Sequence, residues 1–370
     1  MKRISIPYYL SGLAAVFLLI CACQRPLVPF NANVPAQVLS YVGAAPVCDA
    51  RPRFREIFCG LLDANRQRLE LKTECDTYLW RLNDEPPSAA RALSLPDHNP
   101  GLRILIVPGA FSDCFEEIGK PYQAASERLR QLGYQINNVD TRGLSGSTHN
   151  AGIIAEAVAG LKMAPSEQLV LVGYSKGTTD ILHFLVNYSE LARRVTAVLS
   201  VAGAVNGSPL ADRFSEVSYD NWLFNLSLGK CRAGDGGVLD SLSRTRQFQW
   251  LATHPLPEHV RYFSLGAFAR YEDVQLHQRA TYRLLEPIEP LNDGQLLFLD
   301  QLIPGSALLG YVNADHWTVA VPVEEKFSGR DPALKAENRK LRELLFEAMI
   351  LFLAESLDVW PAGNNGQYDP

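Results

Sequence analysis

The stretch LVLVGYSKGTTD, residues 169–180, decides the fold. Its first four residues are apolar and predict a buried strand, and the residues after Gly177 favour a helix. Ser175 lies between two glycines at the junction, where a strand that turns sharply into a helix holds a serine hydroxyl in the open. The positive end of the helix dipole would favour negative charge beside it. The alternative is a glycine-rich turn in which Ser175 only caps the helix.

The same alternation of apolar strands and helices runs through residues 101–358. Strands are predicted at 102–107, 134–140, 168–173, 195–203, 260–269 and 307–312. Helices are predicted at 121–133, at 151–163 with Asn150 as the N-cap, at 175–188 and at 334–352. Because strands that alternate with helices need crossover connections, we expect an α/β fold with a mostly parallel sheet and helices on both faces.

Composition divides the chain into five regions. We assign 1–22 to a signal peptide, 23–45 to a tether, 46–98 to an N-terminal accessory region, 99–358 to the α/β domain and 359–370 to a tail. Within the domain, 206–257 interrupts the rhythm with helical pieces, glycines and two tryptophans. This insertion is either an ordinary helical segment or a lid over an apolar site, and the sequence leaves both open.

The N-terminus has the pattern of an export signal. Lys2 and Arg3 precede an apolar run of about 15 residues, which is too short to span a bilayer as a helix. The run ends in LICAC, where Ala22 before Cys23 resembles the lipobox of bacterial lipoproteins and implies acylation of Cys23. A plain signal peptide and an uncleaved anchor are the alternatives. Since Gln24 rather than Asp follows, we expect a lipid-anchored protein of a bacterial cell envelope, sorted to the outer membrane.

Charge and cysteine content indicate which ligands and cross-links the chain can have. The net charge of -5, without a basic run, argues against nucleic-acid binding. No cluster of Cys and His has zinc-ligand spacing, so we predict neither a metal nor a cofactor. Export permits disulfides among the five cysteines that remain after Cys21 and Cys23, and we favour a bond between Cys59 and Cys75.

A serine nucleophile needs a base, and the base needs an acid that orients it. His316, in YVNADHW, directly follows the last predicted strand and is the predicted base. The predicted acid is Asp293, in an Asn-Asp-Gly turn, with Asp300 as the second candidate and Glu289 as the third. Asp315 adjoins His316 in sequence, so its carboxylate is poorly placed to reach the same ring.

Two backbone N–H groups would hold the oxyanion that forms when a carbonyl is attacked. We predict Lys176, the residue after the serine, and Ala110, in the loop after the first core strand. Phe111 is the next choice for the second donor. The side chain of Lys176 lies one helical turn before Asp180, which predicts a surface ion pair rather than a catalytic role.

These residues resemble the α/β-hydrolase superfamily, and within it the secreted bacterial triacylglycerol lipases. The resemblance spans residues 101–350 and is carried by GYSKG at 173–177, VAGAVNGSPLAD at 201–212, VRYFS at 260–264, NDG at 292–294 and NADHW at 313–317. It implies an α/β-hydrolase fold, Asp293 as the triad acid, His316 as the base and a lid after 201–212. The chain departs from the family at Pro108-Gly109, where His-Gly is usual, and in lacking convincing counterparts of the calcium-binding aspartates.

The predicted function is a serine hydrolase that cleaves carboxylic esters, with lipid or acyl esters as the substrate class. Ser175, His316 and Asp293 would act through an acyl-enzyme. Thioester and amide hydrolysis use the same groups and stay open. The alternative from another class is a membrane-tethered binding protein without catalysis, because function depends on the site rather than on the fold.

Overall fold

The computed structural model describes residues 47–82, 85–88, 99, 101–114, 119–216, 232, 234–323 and 332–359. Its strands are β1 (Cys48–Asp49), β2 (Leu102–Val107), β3 (Gln135–Asn138), β4 (Gln168–Tyr174), β5 (Val195–Val201), β6 (Arg261–Phe268) and β7 (Ala307–Asn313). Its helices are α1 (Arg51–Leu69), α2 (Cys75–Tyr78), α3 (Gln123–Gln131), α4 (Ser147–Gly160), α5 (Lys176–Asn187), α6 (Ser189–Ala192), α7 (Pro209–Glu216), α8 (Val238–Leu242), α9 (Arg244–Thr253), α10 (Arg279–Leu285) and α11 (Pro332–Ser356).

The described strands form one parallel sheet in the order β1-β7-β6-β5-β4-β2-β3. β4 lies between β2 and β5, with Gly173 opposite Val107 and Tyr174 opposite Val201. Parallel strands place their carboxyl ends at one edge of the sheet, and in open α/β sheets that edge is where ligands bind. The predicted α/β class with a parallel sheet is confirmed.

Both faces of the sheet are covered because its central strands are almost wholly apolar. One face packs against α1, α3 and α11, where Phe54 and Phe352 meet edge to face at 5.9 Å. The other face packs against α4 and α5 through side chains such as Ile154 and Ile181. A parallel sheet needs this double covering. The polar side chains that could contact a ligand therefore lie at the carboxyl edge of the sheet, beyond the ends of the strands.

The N-terminal region is integrated into this fold rather than accessory to it. β1 extends the sheet beside β7, and α1 packs along α11, where Arg53 pairs with Glu355 at 2.6 Å. The predicted disulfide between Cys59 and Cys75 is confirmed and joins α1 to α2. The boundary expected at residue 98 does not separate two cores, because the apolar face of α1 is buried in the same cluster as the sheet.

The predicted N-cap at Asn150 is wrong. α4 begins three residues earlier, at Ser147, with Gly146 as its N-cap residue. Asn150 is therefore an interior helical residue, and its side chain bonds instead to the backbone of Arg142, accepting its N–H at 3.0 Å and donating to its carbonyl at 3.1 Å.

Several predictions fall outside the described residues. They concern the signal peptide, the lipidation site Cys23, the tether, residues 217–231 of the insertion and residues 360–370 of the tail. The described parts of the insertion form α7, α8 and α9. Within the described ranges, no helix combines the length and the apolar content needed to cross a bilayer.

Candidate active site

Ser175 lies at the junction of β4 and α5 in a strained backbone conformation. Its φ is 55° and its ψ is -129°, a combination that costs about 1–3 kcal/mol for a residue with a side chain. The flanking glycines are required by packing: a Cβ on Gly173 would lie 2.6 Å from Thr178 Cα, and one on Gly177 would lie 2.1 Å from the Val107 carbonyl oxygen. The turn can therefore pack tightly and present the Ser175 hydroxyl at the carboxyl edge of the sheet.

Three polar side chains form a hydrogen-bonded row from this turn. Ser175 Oγ lies 2.7 Å from His316 Nε2, and His316 Nδ1 lies 2.7 Å from Asp293 Oδ2. Because an ionised carboxylate only accepts, Nδ1 carries the proton and Nε2 is left to accept from the serine hydroxyl. His316 and Asp293 are buried, whereas Ser175 is 8% exposed and lines a cavity. The structure thus brings together the three residues that the sequence singled out, and their catalytic roles stay a prediction.

Backbone groups fix the orientation of Asp293. Its Oδ1 accepts the N–H groups of Gln295 and Leu296 at 2.8 and 2.6 Å, and its own carbonyl accepts the N–H of His316 at 2.7 Å. Gly294 follows at a φ of 89°, which explains the glycine of the Asn-Asp-Gly turn. These bonds leave Oδ2 aimed at the imidazole, where a carboxylate both orients the ring and stabilises its cationic form.

The other acids that the sequence offered have different partners. Asp300 is buried and pairs with Arg244 at 2.7 Å; burial raises the pKa of Asp300, and Arg244 acts in the opposite direction. Glu289 accepts the N–H of Leu291 at 3.0 Å. Neither carboxylate is bonded to His316, which leaves Asp293 as the acid that the geometry favours.

Asp315 is occupied in shaping the loop that carries His316. Its Oδ1 accepts the N–H of Thr318 at 2.9 Å and the side-chain amide of Gln278 at 3.0 Å. Its Oδ2 accepts the N–H of Gln275 at 2.8 Å. The carboxylate next to the histidine is therefore used for loop structure, in agreement with the expectation that it does not reach the ring.

Tyr174, the residue before the serine, supports His316 from the sheet. Its hydroxyl donates to the His316 carbonyl at 2.7 Å, and its ring stacks on the imidazole at 5.5 Å. Burial, together with the Asp293 charge, raises the pKa of Tyr174 well above its usual value, so the hydroxyl stays a donor. Tyr122 makes a similar bond to the carbonyl of Val319 at 3.0 Å. Sequence analysis missed Tyr174, because an aromatic residue at a strand end ordinarily indicates core packing.

The predicted oxyanion donors lie on either side of Ser175. Lys176 is the first residue of α5, where an amide has no acceptor within its own helix. The N–H of Phe111 donates to the carbonyl of Gly143 at 3.2 Å, so it is already engaged. Ala110 is therefore the better candidate on the second loop, and it lines the same cavity as Ser175.

The predicted surface ion pair of Lys176 is wrong, because the pair is buried. Lys176 Nζ lies 2.5 Å from Asp180 Oδ1, and each side chain is 1% exposed. The first turn of α5 packs against α4, whose Ser147 and Asn150 also donate to Asp180, at 2.6 and 2.7 Å. The spacing of the pair can be read from the sequence, but the helix that covers the pair cannot.

An apolar cavity of about 440 Å³ opens at Ser175, within the ordinary size range of small-molecule sites. Gly109 brings the wall close to the hydroxyl, since a Cβ there would lie 2.9 Å from Ser175 Cβ. The insertion supplies much of the lining through Leu210, Ala211, Phe214, Val238, Leu239 and Leu242. Val321 and Val323 line another part of the wall. The cavity favours a ligand with a hydrocarbon part.

Two further histidines lie outside the hydrogen-bonded row. His183 stacks on Trp250 at 4.0 Å, and burial lowers the pKa of His183 to about 4, so its ring is neutral. His277 packs against Trp317 with the two rings tilted and their centroids 4.6 Å apart, and both residues line the cavity. In the part of the chain that the structure describes, no group of three or more His, Cys, Asp or Glu side chains could hold a metal ion.

Solved structures similar to this chain include carboxyl esterases and lipases. The chain is similar to the metagenomic carboxyl esterase MGS0156, with 38% identity over 86% of this chain and 97% of that protein, and a TM-score of 0.76. Weaker likenesses are the Bacillus licheniformis lipase BlEst2 in its mature form (18% identity, 61% and 89% of the two chains, TM-score 0.46) and lipase 1 from Pelosinus fermentans (11%, 66% and 98%, 0.45). No protein-family model and no curated protein sequence matches the chain.

The two tyrosines give a matched test of how His316 is held. We expect Tyr174→Phe to slow labelling of Ser175 by a fluorophosphonate probe about fivefold, because loss of a buried hydrogen bond worth about 1 kcal/mol loosens the imidazole. Tyr122→Phe removes a hydroxyl bond to the same loop three residues further on and should slow labelling less than twofold. Both variants should lose similar stability in urea unfolding. Equal labelling rates in the two variants would contradict a specific role for Tyr174.

Proposed function

The chain belongs to the carboxyl esterases of the α/β-hydrolase type, and from that premise we propose that Ser175, His316 and Asp293 are its catalytic triad. Hydrolysis of carboxylic esters by a serine hydrolase is the activity of this family. The observation that carries the residue assignment is the hydrogen-bonded row with two contacts of 2.7 Å, which ends at a serine hydroxyl in an apolar cavity.

The first half of the proposed reaction acylates the serine. Ser175 Oγ attacks the ester carbonyl carbon while its proton passes to His316 Nε2, and Asp293 stabilises the imidazolium. The carbonyl oxygen becomes an oxyanion, which accepts hydrogen bonds from the amides of Ala110 and Lys176. The tetrahedral intermediate then collapses, the bond to the alcohol oxygen breaks, and His316 gives its proton to the departing alkoxide.

The second half releases the acyl group. Water enters the place of the alcohol, His316 takes one of its protons, and the resulting hydroxide attacks the acyl-enzyme carbonyl. Collapse of this second intermediate returns the proton to Ser175 Oγ and frees a carboxylic acid. The same steps would cleave a thioester or an amide. A non-catalytic binding protein would not need a serine, a histidine and an aspartate in one hydrogen-bonded row. The carboxyl esterase likeness favours the oxygen ester.

Matched carboxylate variants test the triad. We expect Asp293→Asn to lower kcat for a p-nitrophenyl ester by about 10⁴-fold, because an amide at this position favours the wrong imidazole tautomer. Asp300→Asn removes a buried carboxylate of similar position in sequence that pairs with Arg244, so it should keep kcat within a few-fold. Ser175→Ala should abolish turnover and probe labelling. Full activity in Ser175→Ala, or equal losses in the two Asp variants, would refute the assignment.

We propose that the cavity binds the acyl part of the substrate, so that lipid or acyl esters are the substrate class. Its lining consists mainly of Leu, Val, Ala, Phe and Trp side chains. Each methylene group that leaves water for such a wall contributes about 0.8 kcal/mol. The described parts of 206–257 form one side of the cavity, which fits the role of a cap over the acyl chain.

A series of p-nitrophenyl esters of increasing acyl length tests this assignment. We expect kcat/KM to rise about fourfold per added methylene until the cavity is filled, and then to fall. Leu242→Asp, which places a charge in the wall, should remove most of this gain while leaving acetate hydrolysis within a few-fold. A profile that is flat, or that is highest at acetate, would exclude the acyl-binding role.

We also propose that the mature protein is anchored to a bacterial envelope membrane through an acylated Cys23. The support is the export pattern of the first residues and the small residue before Cys23 in LICAC. One acyl chain gives only marginal binding, whereas two or more anchor a protein stably. An anchor would keep the enzyme at the surface where lipid esters are concentrated.

Two neighbouring cysteines provide the control for this anchor. In cells fed an alkyne-bearing fatty acid, Cys23→Ala should lose the label and appear in the soluble fraction. Cys21→Ala should keep both the label and membrane association, because its cysteine lies on the signal side of the predicted cleavage. Labelling that persists in Cys23→Ala, or that is lost only in Cys21→Ala, would overturn the proposal.

A further inference from the structure

The two proposed oxyanion donors belong to different segments, which must keep a fixed separation. Ala110 lies in the loop after β2, and Lys176 is the first residue of α5 after β4. β2 and β4 are paired in the sheet up to Val107 and Gly173, but both donors lie beyond the last pair. Since a donor must sit about 2.7–3.1 Å from the oxyanion, something other than the sheet has to set the spacing of the two amides.

We propose that a buried chain of hydrogen bonds, centred on Asp180 and Asn150, joins the two donor segments and sets their separation. The proposal rests on the function proposed above, because it assigns positioning roles toward the same oxyanion. Asp180, Asn150, Ser147 and Lys176 are each about 1% exposed. Their directional bonds are therefore protected from competition by water.

The chain begins at the donor on α5. Asp180 Oδ1 accepts from Lys176 Nζ at 2.5 Å and from Ser147 Oγ at 2.6 Å, and its Oδ2 accepts from Asn150 Nδ2 at 2.7 Å. The residue that supplies the backbone donor is thus tied by its own side chain to two residues of α4. Because Lys176 Nζ is committed to Asp180, the ammonium acts on the position of the helix rather than on the substrate.

Asn150 passes the connection to the loop before α4. Its Oδ1 accepts the N–H of Arg142 at 3.0 Å, and its Nδ2 also donates to the Arg142 carbonyl at 3.1 Å. An amide side chain pairs in this way with both polar groups of one residue, as a neighbouring strand would. Asn150 therefore fixes the backbone at 142 relative to Asp180.

Gly143 completes the chain at the other donor loop. Its carbonyl accepts the N–H of Phe111 at 3.2 Å, and its N–H donates to Asp113 Oδ1 at 3.1 Å. A Cβ at this position would lie 2.6 Å from the Phe111 nitrogen. Residue 143 must be glycine for the two backbones to touch, and Phe111 directly follows Ala110. The connection from Lys176 to Ala110 is continuous.

Stability alone is a poor explanation for this arrangement. A buried ion pair is often no more stabilising than apolar side chains of the same volume, because both charges lose their hydration. Apolar packing between α4 and α5 already exists, in the cluster that contains Ile154 and Ile181. What a polar chain adds is direction and fixed length, which is the property that an oxyanion site needs.

Two serines of the core provide the matched test. Ser147→Ala removes one hydroxyl from the chain, and Ser264→Ala removes a hydroxyl of equal burial that bonds to Ser306 and to the N–H of Ile303. We expect Ser147→Ala to lower kcat about fivefold with little change in KM, and Ser264→Ala to lower the unfolding midpoint without changing kcat more than twofold. Asn150→Ala and Gly143→Ala, which break the chain nearer its centre and at its far end, should lower kcat 10- to 100-fold.

A tetrahedral adduct separates positioning from general loosening. A trifluoromethyl ketone adds to Ser175 and places an oxyanion between the two amides, so its Ki should rise in each chain variant by the same factor as kcat/KM falls. Variants that lose stability but keep kcat and Ki would overturn the inference. If wild-type Ser175 is not labelled by a fluorophosphonate, the proposed function itself fails. Labelled wild type with unaffected variants would remove only the positioning roles.

Discussion

The site depends on one strained residue. Ser175 holds a φ of 55° and a ψ of -129°, and the structure can maintain that conformation only because its neighbours over-determine it. Gly173 and Gly177 allow the backbone of β4, α5 and β2 to pack within distances that any side chain would forbid. The same close packing brings the loop after β2 against the hydroxyl at Gly109. The backbone conformation of Ser175 and its close contact with the loop after β2 therefore follow from a single steric arrangement.

Around this turn, nearly every polar group of the site is positioned by another polar group rather than by apolar contact. Asp293 is oriented by two backbone N–H groups, His316 by Asp293 and Tyr174, and Lys176 by Asp180. A buried donor or acceptor without a partner costs free energy. Each of these bonds therefore favours one geometry strongly over the others. The apolar sheet supplies stability, and the hydrogen-bonded network supplies the accuracy that transition-state stabilisation requires.

The sequence was sufficient for what local patterns determine. Alternating apolar runs predicted the parallel sheet, GxSxG in a strand–turn–helix context singled out Ser175, the end of the last strand singled out His316, and an Asn-Asp-Gly turn singled out Asp293. Sequence analysis failed at the positions where tertiary packing determines the contacts of a side chain. Nothing near Lys176 showed that α4 would cover its side chain, and the polar side chain of Asn150 resembled a helix cap although it bonds to a loop eight residues earlier. β1 was missed because two residues are too few to show any periodicity.

The insertion shows how the fold and the substrate preference are divided between different parts of the chain. The strand ends and the turn at Ser175 carry the proposed triad, and these parts are held by the sheet. The walls of the cavity come largely from α7 and α8, which are outside the sheet and contact it little. Substitutions in these helices can change the volume and polarity of the cavity without moving the hydrogen-bonded row. In the mechanism proposed above, the strained turn sets the reaction, while the choice of ester depends on apolar side chains that the turn does not constrain.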